Sequence, residues 1–256
     1  MLRSMVIAAQ FLTRVQLSRR VVEAHELPRA LAWFPLVGAL VGGAIAGLIV
    51  AATPLLGIDV AIVIGLAAGA LLTGAFHEDG LADTCDGLGG GRTRARALEI
   101  MRDSRIGSYG AISLILLYAA RFTLFRTLGA GQLLLALPAA SALGRASIVV
   151  LSAWLPSARG EGVGADLASS VGRGTVAIGA ITPLIVATIL CGFAASTLVA
   201  TAALAIIVSA FYLRHRLGGT TGDALGAVSA IVEVAALVAA LAWVRVHAPL
   251  EILRWP

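Results

Sequence analysis

Seven long apolar stretches, separated by short polar connectors, dominate the pattern of hydrophobic and polar positions along the chain. Each stretch is close to the ~20 residues that a helix needs to cross the hydrocarbon core of a bilayer. The stretches cover approximately residues 31–53, 58–76, 109–128, 132–155, 175–193, 197–213 and 223–244. The pattern predicts an all-α, polytopic membrane bundle of seven transmembrane helices, or of six if the last stretch does not cross.

The composition supports a membrane location. Hydrophobic residues make up 59% of the chain, charged residues only 13%, and the mean hydropathy is +0.95, whereas about a quarter of the residues in a soluble domain are charged. The first 30 residues carry five arginines and two glutamates and predict no cleavable signal, so residues 1–256 are expected to form one membrane-embedded domain. The two cysteines, Cys85 and Cys191, are far apart and imply no disulfide framework.

The basic residues, all 19 of them arginine, predict the topology. Connectors 77–108, 156–174 and 214–222 hold five, two and two arginines, whereas 54–57, 129–131 and 194–196 hold none. Because positive charge favours the cytoplasmic side, the N-terminus and the charged connectors should lie in the cytoplasm, with the C-terminus outside. The chain is therefore predicted to be a multi-pass protein of the bacterial or archaeal inner membrane, and its basic excess indicates orientation rather than nucleic-acid binding.

The cytoplasmic connector 77–108 concentrates acidic residues. Asp79, Asp83 and Asp86 follow each other at i, i+4 and i+7, so a helix that continues the second span would present all three on one face. Two carboxylates about 6 Å apart repel by roughly 3 kcal/mol at an effective dielectric near 20. A divalent cation would relieve this repulsion, and oxygen ligands suit magnesium shared with a phosphate. The pattern predicts a magnesium site.

Glycines and arginines follow the aspartates. Gly80, Gly87 and the run 89–91 allow the backbone to approach a ligand and to turn, a mobile polar loop is predicted to follow them, and residues 95–105 then predict a short interfacial helix. Asp103 is the fourth candidate metal ligand, and Arg102 and Arg105 are candidate phosphate ligands. His77 is predicted at the edge of the site, and Cys85 is expected to be inert.

Three charged residues fall deep inside the predicted spans. Arg121, Arg145 and Glu233 lie at a common depth, roughly 15 to 18 Å from the cytoplasmic ends at 1.5 Å per residue. A charge at that depth costs at least ~2.5 kcal/mol, so the three should face one another or a watery cavity that holds part of a substrate.

Two further cytoplasmic connectors carry charges among glycines. Residues 158–167 contribute Arg159, Glu161 and Asp166, and residues 218–227 contribute Asp223. Thr221 and Asp223 are alternative N-caps of the last span. The glycines of 38–47 lie inside a span and predict close helix packing rather than a nucleotide loop.

With these residues in view, the chain resembles the cobalamin synthase family, the adenosylcobinamide-GDP ribazoletransferases. The resemblance rests on five segments in the family's order: FLTRVQL, WFPLVGALVGG, FHEDGLADTCDGLGGG with LEIMRDSRIGSYG, ARGEGVG, and GGTTGDALGAVSAIVE. Residues 15–17 depart from it, since the family more often has a proline there.

The resemblance implies a magnesium-dependent transferase that joins adenosylcobinamide-GDP to α-ribazole or its 5'-phosphate, yielding adenosylcobalamin or its phosphate and GMP. Asp79, Asp83, Asp86 and Asp103 would hold one or two Mg²⁺ ions, and Asp83 would accept the hydroxyl proton. The residues expected to bind substrate are Arg102, Arg105, Arg159, Glu161, Asp223, Arg145, Glu233 and His77.

Other classes fit the spacing less well. A CDP-alcohol phosphotransferase expects an Ala-Arg pair after its Asp-Gly, and an aromatic prenyltransferase expects an Asn-Asp opening, whereas here DGLAD continues to Cys85 and Asp86. A transporter would hold its ions near the midplane within internal repeats, and no repeat is visible. The acceptor, its lower base, the number of metal ions and any homo-oligomer stay open.

Overall fold

The computed structural model describes residues 2–20, 22–23, 26–159 and 171–247, and this part of the chain is helical without an extended strand. This confirms the predicted all-α class. The described helices are α1 (Leu2–Leu12), α2 (Leu27–Ala30), α3 (Phe34–Leu56), α4 (Ile58–Thr73), α5 (Phe76–Gly90), α6 (Arg94–Ile100), α7 (Ser108–Trp154), α8 (Arg173–Cys191), α9 (Ala195–Leu217) and α10 (Gly222–His247).

The second predicted span does not continue straight into the acidic segment. It ends at Thr73, and α5 leaves α4 at an angle of 86°. Gly74 and Ala75 make this turn with φ values of 68° and 54°, in the left-handed region that commonly ends a helix. The acidic segment itself is helical through Gly90, so Gly87, Gly89 and Gly90 lie within α5, and the predicted loop is limited to residues 91–93 before α6.

Four helical stretches in the described residues are long and apolar enough to cross a membrane, or five if the bent α4–α5 pair is one span. The count of seven spans is therefore not confirmed. Two of the four stretches, Ser108–Trp154 and Arg173–Leu217, contain 47 and 45 residues, more than twice the ~20 that one crossing requires. Each is interrupted at a glycine with positive φ: Gly129 lies between two of the predicted spans, and Gly192 lies at the end of the fifth predicted span.

Helices α3, α7 and α10 pack closely through small residues. A Cβ atom on Gly38 would lie 2.6 Å from the Ser141 carbonyl oxygen, and one on Gly144 would lie 2.7 Å from the Ser229 carbonyl oxygen. The predicted close packing by the glycines of 38–47 is thus confirmed at Gly38. Small residues at such crossings let helix backbones approach, which is how helices associate where lipid removes the hydrophobic driving force.

The outer helices α8 and α9 and the turn that joins them keep large apolar side chains uncovered, among them Ile189, Phe193 and Leu204, whose exposures are 75%, 89% and 62%. Such surfaces are typical of helices that face lipid. Together with the apolar helices they identify a membrane protein.

The connectors predicted to share one side of the membrane meet in space. The Ala158 N–H donates to the Thr220 carbonyl oxygen at 2.7 Å, and Arg94 Nη2 donates to the Ala158 carbonyl oxygen at 3.1 Å. Arg216 reaches the carbonyl oxygens of Leu88 and Gly91 at 2.9 and 3.0 Å. The segments around α5, α6 and the start of α10 therefore form one end of the bundle.

Candidate active site at the end of the bundle

Helix α5 and the first turn of α10 bring acidic side chains together. Asp79 is exposed and Asp83 half-buried on α5, and Asp83 interacts electrostatically with Asp79, with Asp86 and with Asp223 of α10. The Arg159 guanidinium is the positive charge that acts on the same carboxylate. We call Asp79, Asp83 and Asp223 the acid cluster. Its members come from two distant parts of the sequence.

Asp223 is held against α5 by backbone packing and by an ion pair. A Cβ atom on Gly80 would lie only 2.6 Å from the Asp223 carbonyl oxygen, so the helices cross where α5 has no side chain. Arg159 Nη1 lies 2.9 Å from Asp223 Oδ2. Thr221 accepts the Ala224 N–H at 3.1 Å, so the threonine caps α10 and leaves the Asp223 carboxylate to the site.

Asp86 caps the N-terminus of α7 rather than joining the acid cluster. Its two carboxylate oxygens accept the Gly107 and Gly110 N–H groups at 2.7 and 2.8 Å, at the N-terminus of α7. These groups have no intrahelical partner, and a negative charge there is stabilised by the helix dipole. The predicted metal ligand Asp86 is therefore buried and oriented toward α7.

Asp103, the fourth predicted ligand, forms an exposed ion pair with Arg105, with 2.6 Å between Arg105 Nη2 and Asp103 Oδ2. Hydrogen bonds from Arg105 lower the pKa of Asp103 to about 2. Among the described residues, Asp103 is not one of the charged groups that act on Asp83. The structure thus places Asp223 in the position beside Asp79 and Asp83 that the sequence analysis gave to Asp103.

The donor set suits a hard divalent cation in chemical type. Within the described ranges, however, no three histidine, cysteine, aspartate or glutamate side chains converge closely enough to hold a metal by themselves. The acid cluster therefore fits a cation that takes further oxygens from water or from a substrate, which is the usual way in which proteins bind Mg²⁺.

A cavity of about 330 Å³ lies beside the acid cluster, between α6 and residues 158–159. Its lining contains the predicted phosphate ligands Arg102 and Arg159. Arg159 Nε and Nη2 are buried and have no hydrogen-bond partner in the described part of the chain. A buried donor left unpaired costs about 1–3 kcal/mol, so this guanidinium is prepared for an anionic ligand.

The charged residues inside the spans do face one another, as predicted. Glu233 accepts hydrogen bonds from Arg121 at 2.8 Å, from Ser141 at 2.9 Å and from Arg145, and Arg121 also donates to Glu78 at 2.5 Å. We call Glu78, Arg121, Arg145 and Glu233 the buried charge network; its formal charges sum to zero.

The cavity at this network is small. Its volume is about 30 Å³, enough for one water molecule and not for part of a substrate. Glu78 Oε2 and Arg121 Nε are buried without a partner in the described residues, and such a water would satisfy them. The geometry favours a structural role for the predicted substrate residues Arg145 and Glu233.

Five residues named in the sequence analysis remain: His77, Cys85, Cys191, Glu161 and Asp166. His77 is 2% exposed and packs where α5 meets Gly226 of α10, and the charged groups that act on it are Arg145, Glu233 and Arg121 of the buried charge network. Cys85 and Cys191 are free thiols, as expected. Glu161 and Asp166 lie outside the described residues.

Sequence reasoning missed Glu78 and Arg94. Glu78 is 8% exposed and links α5 to Arg121. The sequence did contain a signal for it, because two arginines deep in the spans had only Glu233 as an acidic partner at the same depth, which indicates that a second acid is needed. Arg94 fixes α6 to the Ala158 carbonyl oxygen, and no sequence pattern distinguishes it from the neighbouring arginines.

The comparisons with known proteins agree along almost the whole chain. A profile of the family described as cobalamin-5-phosphate synthase matches residues 4–241. The chain belongs to this family. The adenosylcobinamide-GDP ribazoletransferase of Leptothrix cholodnii is 42% identical, over 94% of this chain and 96% of its own length. That of Klebsiella pneumoniae is 36% identical, over 94% of this chain and 100% of its own length. That of Bradyrhizobium diazoefficiens is 39% identical, over 93% of this chain and 92% of its own length.

No solved structure gives a significant match. Membership in the cobalamin-5-phosphate synthase family confirms the resemblance found in the sequence and makes the chain a transferase of cobalamin biosynthesis. The phosphotransferase, prenyltransferase and transporter alternatives find no support in these matches.

Proposed function

We propose that the protein joins adenosylcobinamide-GDP to α-ribazole or α-ribazole 5'-phosphate, forming adenosylcobalamin or its 5'-phosphate and releasing GMP. The observation that carries this proposal is the acid cluster beside a basic cavity, in a chain 42% identical to a ribazoletransferase over nearly its whole length. Carboxylates that hold a cation and arginines that hold phosphates are the parts that phosphoryl transfer needs.

Asp79, Asp83 and Asp223 would hold Mg²⁺ together with the diphosphate of the donor. When bound, the cation would neutralise charge on the phosphate oxygens as the leaving group departs. Arg159 supports this arrangement because it contacts the acid cluster through Nη1 and keeps two buried donors free of protein partners in the described residues. Arg102, on the same cavity, would bind the second phosphate. Arg105 would first have to leave its ion pair with Asp103.

The reaction breaks one bond and forms one. The acceptor's ribose hydroxyl oxygen bonds to the phosphorus that carries the corrinoid, the bond from this phosphorus to the bridging oxygen breaks, and GMP leaves with that electron pair. The hydroxyl proton passes to a carboxylate, for which Asp83 is our assignment because Asp79 and Asp223 both act on it electrostatically. The remaining contribution of the protein is to align the two substrates.

The site would face the cytoplasm. The arginine-rich connectors 77–108, 156–174 and 214–222 supply the end of the bundle that carries the acid cluster, and positive charge marks the cytoplasmic side of an inner-membrane protein. Both substrates are soluble and would reach it there.

The test is GMP release by protein reconstituted in liposomes, with each substrate alone and with both, in the presence and absence of Mg²⁺. Wild type should release GMP only with both substrates and Mg²⁺, and Asp83→Asn should lower kcat at least 100-fold, the usual scale of general-base loss. The matched control is Asp59→Asn, which alters an exposed carboxylate paired with Arg126 at 2.8 Å. Release by wild type without the ribazole acceptor would refute the proposed reaction.

A further inference from the structure

The cavity beside the acid cluster has the composition of a nucleotide site. Ala95, Leu98 and Ala158 give it an apolar floor, and Glu99, Arg102 and Arg159 supply its charges. Its volume of about 330 Å³ falls at the lower end of the range of about 300–1,000 Å³ for small-molecule sites. A flat base needs an apolar surface, and a phosphate needs cations, and both are present here.

The position of Arg159 fixes the direction in which a diphosphate donor would lie. This side chain contacts Asp223 of the acid cluster at 2.9 Å and also lines the cavity. A diphosphate that reaches from the acid cluster into the cavity would place one phosphate at the acid cluster and the other between Arg159 and Arg102. The nucleoside attached to the second phosphate then falls into the cavity.

Hydrogen bonds hold the two walls of the cavity in place. Arg94 at the start of α6 donates to the Ala158 carbonyl oxygen at 3.1 Å, which ties the two walls together. Thr93 caps α6 by accepting the Arg96 N–H at 3.2 Å. These contacts set the distance between Leu98 and Ala158.

Glu99 is the acidic residue of the lining, and its carboxylate offers two adjacent acceptors. The Watson–Crick edge of guanine carries two adjacent donors, N1–H and the 2-amino group; hypoxanthine lacks the amino group, and adenine lacks the N1 donor. Glu99 pairs with Arg96 at 2.8 Å, but both side chains are exposed, at 68% and 58%. Such an exposed pair contributes little to stability, so a ligand can replace it.

We propose that this cavity binds the guanosine monophosphate part of the donor and that Glu99 selects guanine through its two edge donors. The proposal rests on the proposed function, because that function supplies a guanine nucleotide as the leaving group. It adds a specificity residue and a subsite to the acid cluster.

The first test measures binding of GMP, IMP and AMP to the full chain in nanodiscs with Mg²⁺, by equilibrium dialysis. Wild type should bind GMP more tightly than IMP, and IMP more tightly than AMP. Glu99→Gln should weaken GMP binding about 10- to 100-fold, the factor for lost hydrogen bonds to a charged acceptor, and should leave AMP binding unchanged. Equal binding of GMP and AMP by wild type would overturn the proposal without any variant.

The matched control is Arg96→Gln. If Glu99 acts only by stabilising α6 through its ion pair, Arg96→Gln should weaken GMP binding as much as Glu99→Gln does, and the proposal fails. If Glu99 binds the base, Arg96→Gln should leave GMP binding unchanged or stronger.

Turnover separates this proposal from the proposed function. With donors that carry GDP or IDP, Glu99→Gln should lower kcat/KM for the guanine donor and reduce the preference between the two. If wild type transfers to ribazole while the variant keeps the full guanine preference, the subsite is wrong and the function stands. If wild type shows no transfer while GMP binding depends on Glu99, the subsite stands and the function is wrong.

Discussion

Glu233→Gln should be among the most destabilising single changes in this protein. Glu233 is 4% exposed and is the shared partner of Arg121 and Arg145. Removing its charge leaves two buried arginines facing one carboxylate, Glu78, and a net charge of +1 in the buried charge network. Arg121 and Arg145 lie on α7 and Glu233 on α10, two helical stretches that are long and apolar enough to span the membrane, where an unpaired charge is costly.

The expected magnitude follows from the geometry. Two unit charges about 4 Å apart interact by roughly 4 kcal/mol at an effective dielectric near 20, and breaking a buried ion pair from one side typically costs about 3–5 kcal/mol. Glutamine can still accept one hydrogen bond, so the loss should lie near the lower end, about 3 kcal/mol. For a chain of this size, about 2–4 °C per kcal/mol gives a melting temperature lower by roughly 6–12 °C.

The assay is thermal unfolding of the reconstituted protein, followed by circular dichroism at fixed lipid composition. Asp59→Asn is the matched carboxylate-to-amide control, because Asp59 and Arg126 are 52% and 54% exposed and such a pair contributes about 0–1 kcal/mol. The double variant Glu233→Gln with Arg145→Gln restores neutrality and should be more stable than the sum of the single losses predicts, by about 1–3 kcal/mol. A Glu233→Gln shift no larger than that of Asp59→Asn, or strict additivity in the double variant, would refute the reasoning.

Two further changes test how the acid cluster is positioned. Gly80→Ala puts a methyl group against the Asp223 backbone, so it should lower the free energy of unfolding by about 1–3 kcal/mol and should lower GMP release. The control is Gly47→Ala, which has open space around it and should change neither thermal unfolding nor turnover. Asp86→Asn removes a charged acceptor from the start of α7 and should lower the free energy of unfolding by about 0.5–2 kcal/mol; unchanged thermal unfolding with complete loss of turnover would instead identify Asp86 as a metal ligand.

The sequence predicted the residue types of the site better than it predicted which of those residues lie together. Helical spacing placed Asp79 and Asp83 on one face because both lie in the same helix. The replacement of Asp103 by Asp223 beside them depends on a crossing between helices about 140 residues apart, at Gly80, and no local pattern encodes that contact. The 86° turn at Gly74 and Ala75 was also not predicted, because the apolar pattern runs from residue 60 through residue 76 without a proline or a charge.

The acid cluster is positioned by the long apolar helices of the bundle. The face of α5 opposite Asp79 and Asp83 is apolar, and Leu81 and Leu88 of this face line a cavity together with Ile112 of α7 and Ile231 of α10. The start of α5 is fixed by the ion pair between Glu78 and Arg121, and its middle by the crossing at Gly80. Each of these contacts is made by the long apolar helices. The position of α5 therefore depends on the long apolar helices, which form the core that supports the site.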